Sequence, residues 1–264
     1  MKKLVLTLLL AAAAIAQQNE IPATESVSSL RDQAEKGDAM AQYNLGVDYE
    51  RGEGVSLDYA EAARWYRKAA NQGLSPAQYN LGLMYAHGQG VTQDYSEAAR
   101  WFRKAADQGD ADSQFSLGYM DATGKGVTQD YAEAARWYRL AADQGHTGAQ
   151  GNLGVSYAMG RGVAQDYAEA ARWYRKAADQ GVAATQHILG AMYAKGEGVP
   201  QDYVEAHMWF NLAASRANGD DQKKYADARE LTAKKMTAQQ IAEAQRRARE
   251  WKPRSAENKG EGVR

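Results

Sequence analysis

The sequence predicts an all-α solenoid, in which stacked pairs of helices share one continuous core. Three observations predict it: a motif that recurs every 36 residues, helical spacing of the apolar residues within each copy, and the lack of any stretch with sustained period-two alternation. A unit of this length cannot bury its own apolar face, so neighbouring units must stack. The motif reads DYAEAARWYRLAADQG in its third copy, and the copies begin at Asp58, Asp94, Asp130, Asp166 and Asp202.

Each repeat contains two predicted helices, which we name helix A and helix B. In the first repeat, helix A covers about 39–51, where apolar residues recur at steps of four. Asp58 is the predicted N-cap of helix B, with a glutamate three residues on, and Gly73 ends the helix. Gly46 and its equivalents in the other four copies lie mid-helix, where glycine is about 1 kcal/mol less favourable than alanine. Their recurrence indicates a close helix–helix contact. Trp65 and its copies are the predicted bulky partners of these small residues.

A known repeat family has the same pattern. Residues 45–73 read LGVDYERGEGVSLDYAEAARWYRKAANQG, with Ala-x-x-x-Leu-Gly, Gly-x-Gly-Val and Asp-Tyr-x-x-Ala-x-x-Trp-Tyr in fixed order. The chain thus resembles the Sel1-like repeat, a relative of the tetratricopeptide repeat, over 37–216. The resemblance implies a right-handed superhelix of antiparallel helix pairs and a role as an adaptor between proteins. Some cysteine-rich secreted members are linked to β-lactam binding, and their cysteine pattern is missing here.

The N-terminal residues predict export. Residues 1–16, MKKLVLTLLLAAAAIA, combine two lysines, a short apolar run and an A-x-A-like end, which is typical of a bacterial secretory signal. The run is shorter than the roughly 20 residues that a membrane span needs, although an uncleaved anchor is the alternative. Cleavage would place the protein in the periplasm or outside the cell. Residues 17–27 are a predicted flexible leader, and 28–36 an N-terminal capping helix.

The fifth repeat differs from the others at its end. Ala217 takes the place of the terminal glycine, and 217–251 is predicted to form C-terminal capping helices, the second of which starts with a Thr237–Gln240 capping box. Residues 252–264 are predicted to be disordered. A basic cluster near the end is either a patch for an anionic lipid, peptidoglycan or an acidic partner, or a solvated helix face. Its members are Arg246, Arg247, Arg249, Lys252 and Arg254.

Composition and motifs argue against catalysis and nucleic-acid binding. The formal charge is −1, whereas a nucleic-acid partner requires a concentrated basic surface. Without cysteine there is no disulfide, thiolate metal site or thiol nucleophile. The four histidines form no His-x-x-x-His pair, and neither Gly-x-Ser-x-Gly nor Ser-x-x-Lys occurs. We therefore predict no catalytic residue, no metal and no cofactor.

Variation between repeats marks the predicted binding surface. In superhelices of the tetratricopeptide type, helix A lines the concave face, and its variable positions share one stripe. Aromatic residues there would anchor a partner, and asparagines would bond an extended peptide backbone. The alternative is that the aromatic residues pack between adjacent helices. The residues predicted to contact a protein or peptide are Tyr43, Asn44, Tyr79, Asn80, Phe115, Tyr119, Asn152 and His187.

The sequence thus predicts a non-catalytic periplasmic or secreted scaffold that binds a peptide or protein segment, with roles in envelope assembly or signalling. The alternative is a cell-envelope enzyme acting on β-lactam or peptidoglycan substrates. Asp121 also stands out, because it replaces the tyrosine found at this position in the other repeats. It marks either a local pocket or drift.

Overall fold

The computed structural model describes residues 27–254, and within them the chain forms thirteen α-helices and no strand. The predicted signal at 1–16, the leader up to residue 26, and residues 255–264 lie outside the described residues. The helices are α1 (Val27–Glu35), α2 (Ala39–Arg51), α3 (Tyr59–Asn71), α4 (Ser75–His87), α5 (Tyr95–Asp107), α6 (Ala111–Thr123), α7 (Tyr131–Asp143), α8 (Thr147–Met159), α9 (Tyr167–Asp179), α10 (Ala183–Lys195), α11 (Tyr203–Arg216), α12 (Gly219–Ala233) and α13 (Ala238–Glu250).

The helices group into two compact units, divided between Gln93 and Asp94. The first unit contains α1 to α4, and the second contains α5 to α13. Successive helices from α1 to α4 and from α5 to α12 pack against one another, and α13 packs on α11. The even-numbered helices α2 to α10 are the predicted helices A, and the odd-numbered helices α3 to α11 are the helices B. The chain is an all-α solenoid of helix pairs, as the repeats predict.

Short polar side chains and glycines set the ends of these helices. The Asp58 carboxylate accepts hydrogen bonds from the backbone N–H groups of Ala60 and Glu61, at 2.9 and 3.0 Å, so the predicted N-cap is confirmed. Glu61 itself pairs with Arg64 at 2.7 Å. Gly52 ends helix A in the left-handed region, at φ 70°.

The mid-helix glycines contact tyrosine, which corrects the expectation of a tryptophan. A Cβ on Gly46 would lie 2.7 Å from the ring of Tyr66, so only glycine fits this approach. Trp65 is also buried, but it packs with Leu30 and Leu45 in a separate cluster. The two rings are adjacent in sequence and therefore point to different sides of the helix. The same glycine contact recurs between Gly118 and Tyr138, Gly154 and Tyr174, and Gly190 and Phe210.

Buried glutamines tie each helix B to the following helix A. The Gln150 side chain donates to the carbonyl of Ala142 at 3.2 Å and accepts from Gln180 at 2.8 Å. It thereby gives a carbonyl at the end of helix B a second hydrogen bond, beside the one from the Gly145 N–H at 3.0 Å. Gln42, Gln114 and Gln186 donate to the equivalent carbonyls of Ala34, Ala106 and Ala178.

The C-terminal helices close the second unit. The predicted Thr237–Gln240 capping box is present, and Ala244 and Ala248 are buried against α11. The predicted tail does not leave the structure at residue 252, because the Arg254 N–H donates to the Asp179 carbonyl at 2.8 Å. At the other end, α1 begins within the predicted leader.

Two of the five residues of the basic cluster, Arg246 and Arg247 on α13, are paired with acids. Arg246 contacts Glu243 at 2.8 Å and Glu250 at 2.7 Å. Arg247 contacts Glu243 at 2.7 Å and reaches Glu205 on α11 at 3.0 Å. For these two arginines, the contacts favour a solvated, internally neutralised helix face over a patch that recruits an anionic partner.

Candidate functional site

The predicted aromatic row on the helices A contacts aromatic side chains of neighbouring segments. The Tyr43 ring centre lies 5.7 Å from that of Tyr66. Phe115 is stacked on His146 at 4.5 Å and lies 6.0 Å from Tyr138. The Tyr43 and Phe115 rings are half-buried, so they contribute to helix packing whether or not a partner also touches them.

His187 is part of the same row, near the C-terminal helices. Its ring stacks on Tyr225 at 4.4 Å and lies 5.2 Å from Phe210. Burial and the nearby Lys224 lower the pKa of His187, so its imidazole is neutral near pH 7. Its Nδ1 atom has no hydrogen-bond partner among the described residues.

Two of the predicted residues, Tyr119 and Asn152, line one cavity of about 220 Å³. The cavity lies between α6, α7 and α8, all in the second unit. Its other walls include Tyr131 and Tyr138 from α7 and Ser156 from α8. The remaining predicted residues lie elsewhere: Asn44 is exposed, whereas Tyr79 and Asn80 are half-buried.

Aromatic rings and two cations shape this cavity. Tyr119 is 44% exposed, whereas Tyr138 is only 4% exposed and forms the floor. The Arg161 guanidinium lies 5.6 Å from the centre of the Tyr131 ring, and the Lys125 ammonium lies 5.5 Å from that of Tyr119. Arg161 therefore lies at the rim of the cavity, and Lys125 lies beside the cavity, each over an aromatic face.

The Tyr138 hydroxyl is a hydrogen-bond donor at neutral pH. Burial raises the pKa of Tyr138 to about 12, and the hydrogen-bonding amide of Asn152 opposes the rise. The sequence interpretation missed Tyr138 because it belongs to helix B, whose near-constant motif was assigned a structural role. The alternation of tyrosine and phenylalanine at this position, with Phe102 and Phe210 in two repeats, was the available signal.

A second cavity of about 240 Å³ lies in the equivalent place two repeats later, between α10, α11 and α12. Tyr203 and Phe210 take the places of Tyr131 and Tyr138, and the capping helix α12 replaces a helix A. Leu231, which is largely exposed, contributes to an apolar wall. The same surface position thus carries a more polar cavity in one repeat and a more apolar cavity in another.

Asp121 breaks a contact that the other repeats share. It is only 5% exposed, and its Oδ2 atom has no hydrogen-bond partner among the described residues. Burial raises the pKa of Asp121, and the Arg103 guanidinium opposes the rise. Arg103 itself lies 3.4 Å from Glu133. Elsewhere an arginine donates to the tyrosine hydroxyl eighteen residues on, in the pairs Arg31–Tyr49, Arg67–Tyr85, Arg139–Tyr157 and Arg175–Tyr193.

Between residues 27 and 254, no three His, Asp or Glu side chains come together in a way that would hold a metal ion. In the same part of the chain, no helix is long and apolar enough to cross a membrane.

Comparison with known proteins gives one family and a group of solved structures. A search of curated protein sequences found no match. The profile of the Sel1 repeat matches five consecutive segments, offset by two residues from the predicted repeat bounds. The matched segments are 39–74, 75–110, 111–146, 147–182 and 183–218.

The solved structures extend this similarity. A Sel1 repeat protein from Oxalobacter formigenes is 38% identical, with a TM-score of 0.68, and the alignment covers 82% of this chain and 89% of that one. The uropathogenic Escherichia coli protein c5321, a protective antigen with an SLR fold, is 30% identical with a TM-score of 0.44 over 85% of this chain and 63% of that one. Proteins built from Sel1 repeats are generally interaction scaffolds, and the fold is typically non-catalytic. With five matched segments and this identity, the chain belongs to the Sel1 repeat family.

Proposed function

We propose that the protein is a non-catalytic scaffold that binds a peptide or protein segment across its third and fourth repeats. The observation that carries the proposal is the cavity between α6, α7 and α8, into which Tyr119 and Asn152 project from two successive helices A. Tyrosine is enriched among the residues that dominate binding at protein interfaces. The half-exposed Tyr119 therefore gives a partner a ring to bury.

The size of the cavity favours a side chain over a small molecule. Its volume of about 220 Å³ lies below the range of roughly 300–1,000 Å³ that is usual for ligand and cofactor sites. Its lining contains no carboxylate and no histidine, which are the side chains that most often serve as general acid or base. These features support a binding role and give no support to the envelope-enzyme alternative.

The proposed location is the periplasm or the exterior of a bacterial cell. Residues 1–16 support it, because they have the charged start, apolar run and small-residue end of a secretory signal. Expression of the full chain followed by N-terminal sequencing of the product tests the location. Cleavage after Ala16 in a periplasmic extract supports export, and an intact N-terminus on cytoplasmic protein contradicts it.

Capture of a partner from a periplasmic extract tests the scaffold function. Wild-type protein and the Tyr119→Ala and Leu140→Ala variants are immobilised, and bound proteins are cross-linked and identified. Tyr119 and Leu140 are similarly exposed, at 44% and 39%, and only Tyr119 lines the cavity. We expect Tyr119→Ala to capture at least tenfold less of one specific protein than wild type does. Leu140→Ala should capture as much of that protein as wild type. Equal capture by both variants would show that the segment binds elsewhere.

A further inference from the structure

We propose that the cavity between α6, α7 and α8 binds the carboxylate of a glutamate side chain in an extended segment of the partner. The inference rests on the proposed function and names the chemistry that the cavity recognises. It comes from a comparison of two repeats of the same chain, one of which supplies the carboxylate itself.

The first repeat contains an internal version of the complex. The hydroxyl of Tyr66, on α3, donates to Oε2 of Glu50 at 2.5 Å. The side chain of Asn80, on α4, also forms a hydrogen bond with Tyr66. A carboxylate from one helix A thus lies on the tyrosine of helix B, beside an asparagine from the next helix A.

The third repeat keeps the tyrosine and the asparagine but lacks the carboxylate. Tyr138 and Asn152 are the equivalents of Tyr66 and Asn80, and they retain their hydrogen bond. The equivalent of Glu50 is Ala122, whose methyl group accepts no hydrogen bond. Ala122 lines the cavity, so the volume that the Glu50 side chain fills in the first repeat belongs to open space here.

This combination is specific to the third repeat. The second repeat has Phe102 in place of the tyrosine and therefore lacks the hydroxyl donor. The fourth repeat has Tyr174, but Ile188 replaces the asparagine. The fifth repeat has Phe210.

The charges around the cavity favour an anion. Lys125 and Arg161 occupy the central position of two successive Gly-x-Gly loops, and both lie over tyrosines of the cavity. The same loop position in the first repeat is Glu53. Asp121 is an acid close enough to add to the rise in the pKa of Tyr138. Burial also raises the pKa of Asp121 itself.

The shape favours a glutamate over a smaller anion. In the first repeat the carboxylate reaches Tyr66 on an arm of two methylene groups, which is the length of a glutamate side chain. Ala122, Ala134 and Val155 form an apolar wall of the cavity against which such an arm would pack. The charged end would then receive hydrogen bonds from the Tyr138 hydroxyl, with Arg161 at the rim.

Selection from a displayed library of linear peptides tests the proposal on the purified protein. Selected peptides are synthesised with a fluorescent label, and their affinity is measured by anisotropy. We expect the peptides to share one glutamate whose replacement by glutamine weakens binding at least tenfold. The Ala122→Glu variant, which supplies the carboxylate internally as Glu50 does, should weaken binding by a similar factor, and so should Arg161→Gln.

Ala86→Glu is the matched control, because it makes the same substitution at the equivalent position of a repeat that has no tyrosine hydroxyl. It should leave peptide affinity within twofold of wild type, and thermal unfolding should confirm that Ala122→Glu is folded. Peptides that bind without a shared acid, or whose binding survives Ala122→Glu, overturn the glutamate site and leave the scaffold function standing. If no peptide binds, both the glutamate site and peptide binding by this surface are refuted.

Discussion

Gly162 lies so close to Tyr131 that a Cβ on the glycine would stand 1.9 Å from the tyrosine carbonyl oxygen. Its φ of 73° also lies in the left-handed region. This contact places the Gly-x-Gly loop after α8 on the start of α7, and so fixes where Arg161 meets the cavity. The same approach joins Gly90 to Tyr59 and Gly198 to Tyr167.

We predict that Gly162→Ala lowers the free energy of unfolding by about 2–4 kcal/mol, because it combines backbone strain with a steric clash. Gly151→Ala is the control, since its Cβ would meet only Thr185, at 3.6 Å, within a helix. That change should raise the free energy of unfolding by about 0.5–1 kcal/mol through helix propensity. Urea unfolding of both variants measures the difference, and equal effects would contradict the assigned contact.

The buried glutamines should matter far more than the exposed ones. Gln150→Leu removes one hydrogen bond from the Ala142 carbonyl and one from the Gln180 amide. Both groups keep a bond to the backbone of Gly145, at 3.0 and 3.1 Å, so we expect a loss of about 1–2 kcal/mol in the free energy of unfolding. Gln165 also donates to a carbonyl, that of Ala158 at 2.8 Å, but in an exposed loop where water can replace it. Gln165→Leu should therefore cost less than about 0.5 kcal/mol. Chemical denaturation of the pair tests this order.

Alanine variants of Phe115 and Tyr119 distinguish a residue that packs between helices from one that only contacts a partner. Phe115→Ala removes the ring that stacks on His146 and should lower the free energy of unfolding by about 1–3 kcal/mol, since the ring is half-buried. Tyr119→Ala should change it by less than about 0.5 kcal/mol. Thermal and urea unfolding measure both. An unchanged stability for Phe115→Ala would restore it as a candidate for a purely partner-facing residue.

Asp121 should make stability depend on pH. Its folded pKa is raised by burial above the ordinary aspartate value near 4. Between the unfolded and the folded pKa, Asp121 is protonated more often in the folded protein than in the unfolded chain. The contribution of Asp121 to the free energy of unfolding therefore falls as pH rises. Asp121→Asn removes the titration. The difference in free energy of unfolding between Asp121→Asn and wild type should increase in favour of the variant from about pH 4. It should level off above the folded pKa of Asp121.

Asp121→Tyr gives a second test of the same position. It should show the pH-dependent gain and add the arginine–tyrosine hydrogen bond that the other repeats contain, worth about 1 kcal/mol. Urea unfolding between pH values on both sides of the window compares the two variants with wild type. A pH-independent difference for Asp121→Asn would show that this carboxyl does not titrate differently in the folded protein.

Local patterns were sufficient to predict most of the fold. The bounds of α2, the cap at Asp58, the stop at Gly73 and the Thr237–Gln240 box all depend on residues within one or two helical turns. The period then determined the order of the helices without knowledge of any distant contact.

Contacts between helices were harder to predict. Trp65 and Tyr66 are neighbours in sequence, and spacing alone does not show which of them faces Gly46. The spacing of Gln150 does not show its two hydrogen-bond partners, which are Ala142 on α7 and Gln180 just after α9. Ala122 indicates a cavity only by comparison with Glu50. That comparison requires the structure, which shows that both residues lie near the tyrosine of the following helix.

Arg216 occupies the position in the fifth repeat that Gln180 occupies in the fourth. This difference limits where repeats can be added to the chain. Arg216 lies over Trp251, and the Oε1 atom of Gln186 is left without the amide that Gln150 receives. A duplicated 36-residue segment inserted between the third and fourth repeats would meet a glutamine at both new junctions and could form the glutamine pair again. The same segment added after the fifth repeat would meet an arginine and a tryptophan instead. Gene duplication can therefore lengthen this protein from its middle, while its C-terminal boundary stays fixed.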